Sequence, residues 1–371
     1  MKTPTILTAG IAAILTLPVS LTAAERIWIG NPGTSDWNDL ANWDANGVPV
    51  SGFGDAIYVH TTGSISGVAL DADRLYMAVG SAGDPLSGFT FGAGTYNLGV
   101  LFVGEGHIGN GHVSTGPINN AYGNAFINAG TTINVSSFHL GEWDGASGHV
   151  TQSGGDVNIS NQFRLGHWPQ AGGAQNSYTL NGGTVTVSGG PSDPLNEGSS
   201  GLVVLGIDSS GVLTINGGTF TAHGLTMQTR GASGGESKLL LNGGTLNIGV
   251  NGLVTSNPTA LSSYDIVLKG GTVRATANWS SNLEISLASG GTGAQLDTNA
   301  KTITLSGNLV GAGGLTKIGN GTLKLSGSNS FSGGLTVNTG TVQIGEGGTA
   351  GSAGAGAVVR SEERRVGKEC A

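Results

Sequence analysis

Cysteine and charged side chains are scarce in this chain of 371 residues. The only cysteine is Cys370, so disulfide bonds cannot brace the fold. Charged residues make up 10% of the chain, with 15 Lys and Arg against 23 Asp and Glu, and neither Lys nor Arg occurs from position 75 to position 163. Binding to nucleic acid requires clustered Lys and Arg, so the composition excludes nucleic acid as a partner.

Glycine, by contrast, is abundant, and 69 Gly with 10 Pro form about a fifth of the chain. A collagen triple helix requires glycine at every third position, and no such period is present. Apolar residues still make up 37% of the chain, which argues against disorder. Stability must therefore come from burial and backbone pairing in a folded, glycine-rich structure.

The N-terminus has the pattern of a secretory signal peptide. An apolar stretch (6–21) follows Lys2 and ends at the small residues 22–24. An uncleaved membrane anchor is the alternative, but Pro18 interrupts the stretch, which is barely long enough to span a bilayer. We expect residues 1–24 to be removed, so that the exported chain keeps no transmembrane segment.

The central region repeats a small-residue corner that is followed by a β-rich run. Six corners share this form: Asn128–Thr131, Ser153–Asp156, Asn181–Thr184, Asn216–Thr219, Asn242–Thr245 and Lys269–Thr272. Their spacing is nearly regular, apart from one longer interval between the third and the fourth. After the corners, polar and apolar residues alternate, which indicates strands. Glycine and asparagine suit such corners because both tolerate positive φ.

The corner spacing of about 26 residues and the lack of helical segments predict an all-β fold, a right-handed single-stranded parallel β-helix, or β-solenoid. Each repeat needs a neighbour to bury its apolar strand faces, and stacked coils provide one. Residues 25–359 would form roughly a dozen coils of about 27 residues. Antiparallel hairpins are the alternative, because Asn-Gly is also a strong hairpin signal.

The start of the exported chain differs from the repeats, because half of the six tryptophans lie here, at Trp28, Trp37 and Trp43. A solenoid needs an atypical terminal coil over its exposed end, and a large aromatic plug would provide one. An aromatic carbohydrate-binding patch is the alternative interpretation.

Residues 305–344 carry a dense set of glycine and strand motifs: Gly313-Gly314-Leu315-Thr316-Lys317, Gly321-Thr322-Leu323, Leu325-Ser326-Gly327, Asn329, Gly333-Gly334 and Gly340-Thr341. These motifs resemble the autotransporter-associated β-strand repeat. Phe331 and Leu335 stand where Tyr and Thr are more usual, and both keep strand character. The resemblance implies a β-helical passenger on a bacterial surface, often adhesive, in a family without fixed catalytic residues.

The predicted organisation has five segments: a signal peptide (1–24), an N-terminal capping region with the first coils (25–100), the repetitive β-helix (101–299), the autotransporter-associated repeat (300–347) and a flexible or artefactual tail (348–371). The last twelve residues carry seven charges, an abrupt change that indicates foreign or out-of-frame sequence. We expect the chain to be truncated and an intact version to continue into further repeats and then a barrel or an anchor.

The export signal, the resemblance and the few titratable groups predict a secreted or surface-displayed structural or adhesion protein without catalytic activity. It is expected outside, or on the outer-membrane surface of, a Gram-negative bacterium, where its partner would be an extracellular glycan or a host or neighbouring cell surface. The seven histidines lack metal-ligand spacing, so no metal, cofactor or catalytic residue is predicted.

A β-helical extracellular polysaccharide lyase or hydrolase is the alternative. Such enzymes gather carboxylates and a basic group on one face. Arg164, Arg230 and Lys238 are the basic candidates in the repeats. Finding one of them within about 6 Å of two carboxylates in a groove would favour this alternative.

Two similar four-residue motifs are not explained by the corner repeat, namely Leu140-Gly141-Glu142-Trp143 and Leu165-Gly166-His167-Trp168. The two motifs are separated by one local repeat, so Trp143 is expected one coil from Trp168, and Glu142 one coil from His167. The pair is either a stacked ladder that stabilises the coil or a glycan-binding platform formed by the same four side chains.

The exposure of the two indoles separates these interpretations. If they are exposed and adjacent, Trp143→Ala combined with Trp168→Ala should abolish retention on a glycan resin, because the sugar loses its aromatic contact surface. The circular dichroism spectrum should stay unchanged. Indoles that point into the coil would rule out the platform.

Overall fold

The structure is a computed structural model that describes residues 25–28, 37, 39–43, 56–59, 62–67, 69–77, 88–105, 122–142, 145–167, 175–190, 200–207, 209–227, 236–255, 264–346 and 351–361. These ranges contain 29 strands and a short 3₁₀ helix, Leu40–Asn42. The predicted signal peptide, 1–24, lies outside them, as does most of the predicted tail. The segment boundaries drawn from the sequence therefore stay predictions.

The first ten strands are β1 (Glu25–Trp28), β2 (Ala56–Val59), β3 (Gly63–Ile65), β4 (Ala69–Met77), β5 (Phe89–Phe91), β6 (Gly94–Glu105), β7 (Tyr122–Ile127), β8 (Thr131–Glu142), β9 (Ser147–Gln152) and β10 (Asp156–His167). The next ten are β11 (Gln175–Leu180), β12 (Thr184–Val187), β13 (Leu202–Leu205), β14 (Ser210–Ile215), β15 (Thr219–Met227), β16 (Ser237–Leu241), β17 (Thr245–Thr255), β18 (Tyr264–Leu268), β19 (Thr272–Ala275) and β20 (Trp279–Ser281). The last nine are β21 (Ile285–Leu287), β22 (Ala294–Asp297), β23 (Thr302–Leu305), β24 (Leu309–Val310), β25 (Leu315–Ile318), β26 (Thr322–Leu325), β27 (Leu335–Val337), β28 (Thr341–Ile344) and β29 (Val358–Arg360).

These strands form three sheets that run along the stack of coils. The first sheet has 15 strands and the second has ten, and strands of the two alternate along most of the chain. A third sheet of four strands, β20, β23, β26 and β28, accompanies the later coils. Neighbouring strands are parallel, which confirms the parallel β-solenoid and shows that the hairpin alternative is wrong. The right-handedness of the coil stays a prediction.

The strand register reproduces the repeat seen in the sequence. Thr184, Thr219, Thr245 and Thr272, each of which follows a glycine corner, are direct partners in adjacent coils. The second glycine of each of these corners has positive φ, for example +68° at Gly218. The corners therefore use glycine as the sequence predicted, because L side chains rarely adopt this conformation.

The coil length predicted from the early corners is wrong for the later coils. The steps between the successive partners Thr272, Gln295, Thr316 and Thr336 are all shorter than the step from Thr245 to Thr272. Strands in these coils have only two to four residues, whereas β17 has eleven. Shorter strands need less chain per turn, so the first sheet holds more coils than the early repeat indicates.

The core lies between the sheets and is built from like positions of successive coils. Val185, Phe220, Leu246 and Val273 are partners along the first sheet and are almost completely buried. Large rings fill the centre, where Phe163 packs against Tyr178 with 5.3 Å between ring centroids. Each coil thus buries the apolar face of its neighbour, as a solenoid requires.

The three N-terminal tryptophans are buried at the first edge of this core. Trp28 stacks on Trp37 at 5.3 Å, and Trp43 meets Trp37 edge-on at 4.5 Å. The Trp43 indole donates a hydrogen bond to the carbonyl of Trp37, and Phe89 packs below. Buried ring faces cannot hold sugars, so the carbohydrate-patch interpretation of these three residues is wrong and the packing is that of a plug.

A lysine side chain occupies a core position in the first sheet. Lys317 is the partner of Leu296 and Val337 in the first sheet and is fully buried. Its ammonium donates to the carbonyls of Ile318, Gly319 and Thr339 at 2.6–3.0 Å. Burial lowers the pKa of Lys317, and the negative charge of Asp297 opposes this shift. The ammonium group therefore satisfies backbone carbonyl groups at a corner of the coil.

Substitution of glycines in different surroundings tests how much positive φ and the close approach of the coils each contribute to stability. Gly218 has positive φ, and a Cβ there would collide with the carbonyl of Gly183. Gly67 has φ +72° with open space around it, and Gly190 has open space without positive φ. We expect Gly190→Ala to change local stability by under about 0.5 kcal/mol, Gly67→Ala to cost about 1–2 kcal/mol and Gly218→Ala to cost more.

Hydrogen exchange of the strands next to each glycine measures these local free energies, which is appropriate because solenoids unfold region by region. Equal effects at Gly67 and Gly218 would show that strain alone, and not the close approach of the coils, requires glycine at the corner.

We expect Lys317 to make the free energy of unfolding depend on pH. Because its pKa is lower in the folded chain, the unfolded chain binds more protons between that lowered pKa and the ordinary value of about 10.4. The free energy of unfolding should therefore rise with pH across this window. Urea denaturation of wild type and Lys317→Met at several alkaline pH values measures the difference, and parallel curves would contradict the prediction.

Candidate functional site

The structure describes part of the predicted Trp–Glu–His platform. Glu142 and His167 are direct partners in β8 and β10, as the spacing of the two motifs predicts. The carboxylate of Glu142 is buried beside His139, whose Nδ1 lies 3.4 Å from Glu142 Oε2. Trp143, Trp168 and the side chain of His167 lie outside the described residues. The glycan platform at these four residues thus stays a prediction.

A different ladder of polar side chains lies on the outer face of the first sheet. Asn97, Asn134 and Asn158 are partners in β6, β8 and β10, and we call them the groove amide ladder. Asn158 donates to the side-chain oxygen of Asn134 at 2.9 Å, and Asn134 donates to that of Asn97 at 2.8 Å. Asn97 in turn donates to Asp71 at 2.6 Å. One chain of hydrogen bonds therefore crosses four coils.

The groove amide ladder forms one side of an open groove of about 500 Å³. The polar groove, as we call it, is lined by Asn97, Leu98, Asn134, Val135, Ser136, Asn158, Ser160 and Ser188. Its lining combines three amides, three hydroxyls and two aliphatic side chains, and none of these lining residues is charged. Leu98 and Val135 are almost completely buried, so the amides and hydroxyls are the groups with which a polar ligand could exchange hydrogen bonds.

The polar groove lies where backbone pairing in the first sheet is interrupted. The register of β6 with β4 and β8 skips Gly99, where a Cβ would collide with the carbonyl of Asp73. The register of β8 with β10 shifts between Ile159 and Gln162. The shift adds one position to β10, so the pairing on its two sides is offset by one residue.

Beyond this interruption, aromatic rings stack along the same strands. Tyr58, Tyr76 and Phe102 lie in adjacent coils with centroids 4.7 and 4.8 Å apart and nearly parallel planes. His139 continues the column and meets Phe102 edge-on at 5.2 Å. Arg164 is the next partner along the sheet. An aromatic ladder thus exists on the outer face, although at positions other than the predicted tryptophans.

A second amide ladder lies at the glycine corners. Asn216 donates to Asn181 and Asn242 donates to Asn216, both at 2.9 Å. We call Asn181, Asn216 and Asn242 the corner amide ladder. It has the same hydrogen-bond pattern as the groove amide ladder, but none of its residues lines the polar groove. The two ladders therefore differ in surroundings and not in local geometry.

The basic residues proposed for an enzyme occupy different settings. Lys238 lies 2.7 Å from a carboxylate oxygen of Glu236 and 3.7 Å from one of Asp265, which meets the distance expected of an enzyme site, but none of these three residues lines the polar groove. The hydrogen bond to Glu236 and the charges of both carboxylates raise the pKa of Lys238. A lysine held protonated in this way cannot act as a general base. Arg164 is half-buried in β10, and Arg230 lies outside the described residues.

The described part of the chain lacks two further kinds of feature. No group of three His, Cys, Asp or Glu side chains there is arranged to hold a metal ion. No helix within the same ranges has the length and apolar character needed to cross a membrane.

The fold and the outer ladders define a parallel β-solenoid with a repeat-bearing C-terminal part, and comparison with known proteins agrees with this class. A family described as Passenger-associated-transport-repeat matches residues 315–344, which include Lys317. The adhesin BmaC autotransporter of Brucella suis biovar 1 (strain 1330) is 43% identical over 88 residues, which is 24% of this chain and 3% of that protein. The matched region thus covers a small part of the relative's length.

No solved structure matches the chain. The family match and the adhesin nevertheless support an autotransporter passenger-like repeat protein, which confirms the resemblance drawn from residues 305–344.

Sequence reasoning missed the groove amide ladder, although a signal for it exists. Each of its asparagines stands between two apolar residues, in Tyr96-Asn97-Leu98, Ile133-Asn134-Val135 and Val157-Asn158-Ile159. The alternation places such an asparagine on the outer face while its neighbours point inward. Unequal lengths of chain separate the three asparagines, so a search for a constant period does not align them.

Proposed function

We propose that this chain is a non-catalytic adhesive segment of a passenger, displayed at or secreted from the surface of a Gram-negative bacterium. The passenger-repeat match and the similarity to a protein named as an adhesin support surface display and adhesion. The signal-peptide pattern of residues 1–24 supports export.

The observation that carries the proposal is the repetitive outer face of the solenoid. The amides of the groove amide ladder and the rings of the aromatic column recur from coil to coil in direct register, so that one surface offers several copies of a weak contact. Repeated weak contacts give avid attachment without any catalytic group. The raised pKa of Lys238 and its position away from the polar groove argue against its use as a general base.

The full chain, purified and coupled to fluorescent beads, tests adhesion directly. Coated beads should attach to fixed epithelial cells or to fixed Gram-negative cells in a saturable way that excess soluble chain blocks, because the contacts are specific to the folded surface. Beads that carry the heat-unfolded chain are the matched control. Attachment no better than that control on either cell type would contradict the proposal.

The same preparation should release no reducing ends and no unsaturated uronate from plant, bacterial or host polysaccharides. Turnover that disappears in Lys238→Met would instead establish the lyase or hydrolase alternative.

A further inference from the structure

The hydrogen-bond capacity of the groove amide ladder exceeds what the ladder itself uses. A side-chain amide has two N–H donors and an oxygen that accepts two hydrogen bonds. Each contact between rungs engages one N–H of one asparagine and one lone pair of the next. Every rung therefore retains a donor and an acceptor for a ligand, side by side on the wall of the polar groove.

These paired groups recur at the spacing of the coils. Parallel strands lie about 4.8 Å apart, so Asn97, Asn134 and Asn158 span about 10 Å along the solenoid axis. Ser136 and Ser160, two residues after Asn134 and Asn158 on the same strands, add hydroxyls to the lining that can donate and accept, whereas the hydroxyl of Ser188 donates to the carbonyl of Ile159 at 3.4 Å. The complementary ligand is linear, repeats at a comparable interval and carries groups that both donate and accept hydrogen bonds.

The charges around the polar groove limit the ligand further. The lining residues are uncharged, and the carboxylate of Asp71, at one end, accepts the hydrogen bond of Asn97. Arg74, the nearest basic residue in β4, lies 3.4 Å from the carboxylate of Asp73. Phosphates, sulfates and uronates would thus meet no cation among the described lining residues, whereas neutral hydroxyls would need none.

The surface that the groove offers to a ligand is polar. Leu98 and Val135 border the groove, but their side chains belong to the core and are only 5% and 3% exposed. A ligand would therefore meet mainly amides and hydroxyls, which suit the hydroxyl edges of a sugar. A peptide would pair with backbone groups of a free strand edge, but the rungs of the polar groove are side chains on strands that already have neighbours on both sides.

We propose that the polar groove binds a linear, uncharged oligosaccharide segment along the solenoid axis, with the amides of Asn97, Asn134 and Asn158 contacting its hydroxyls. The inference rests on the proposed adhesive function and names the ligand class of that surface. The hydrogen bonds between rungs hold the amides in place before the ligand arrives, which lowers the entropy lost on binding.

The test compares matched substitutions in the two amide ladders. Asn134→Ala removes the central rung of the groove amide ladder, and Asn216→Ala removes the central rung of the corner amide ladder, which makes the same contacts away from the groove. Ser160→Trp fills the groove from an exposed position. Circular dichroism and hydrogen exchange establish that each variant keeps the fold.

Binding is measured with the full chain against immobilised cello-, chito-, malto- and manno-oligosaccharides, with oligogalacturonate as the acidic comparison. We expect binding to at least one neutral series, a loss of about tenfold in Asn134→Ala and abolition in Ser160→Trp. Asn216→Ala should bind as the wild type does. Absence of binding to every neutral series, preference for oligogalacturonate, or equal losses in Asn134→Ala and Asn216→Ala would overturn the inference.

The bead assay separates failure of this inference from failure of the proposed function. Beads that attach to cells equally well with wild type and with folded Ser160→Trp would overturn the groove as the ligand site and leave the adhesive function standing. Beads of wild type that attach no better than the unfolded control would overturn the adhesive function itself.

Discussion

Parallel backbone pairing between successive coils is the interaction on which the rest of this structure depends. Because each strand pairs in register with the strand one coil away, like positions of the repeat come to lie about 4.8 Å apart. Inward positions then become apolar columns such as Val185–Phe220–Leu246, and outward positions become ladders such as Asn97–Asn134–Asn158. The core and the outer ladders both follow from this one register.

The strands of every coil pair in this register, whatever the length of chain between them. Thr184 and Thr219 are partners across a long stretch of chain, whereas Thr316 and Thr336 are partners across a much shorter one. Most differences in coil length thus lie between strands. Extra positions also occur within strands, one in β10 between Ile159 and Gln162, beside the polar groove, and two in β17 opposite the step from Ala222 to Gly224.

The sequence predicted the class of fold because corner glycines and alternating strands are local signals. Gly218 and Gly244 have the positive φ that their corners indicated, and their following threonines are partners. The position of the site was harder to predict, because a ladder depends on register across coils of unequal length. More chain separates Asn97 from Asn134 than Asn134 from Asn158, although both pairs are adjacent rungs. Likewise, the sequence alone suggests that Lys317 is a surface charge. The register shows instead that it is aligned with Leu296 and Val337.

The same constraint accounts for the scarcity of charge. A side chain on the outer face has a neighbour from the adjacent coil at close range, and like charges placed directly opposite destabilise a sheet. Two of the stacked charged pairs are of opposite sign, Lys238 with Asp265 and Arg274 with Asp297. Amides and hydroxyls escape this penalty because each is both donor and acceptor, so identical residues attract one another. A solenoid that repeats its surface therefore favours neutral hydrogen-bonding ladders, and a surface of that kind is complementary to neutral polyhydroxyl chains.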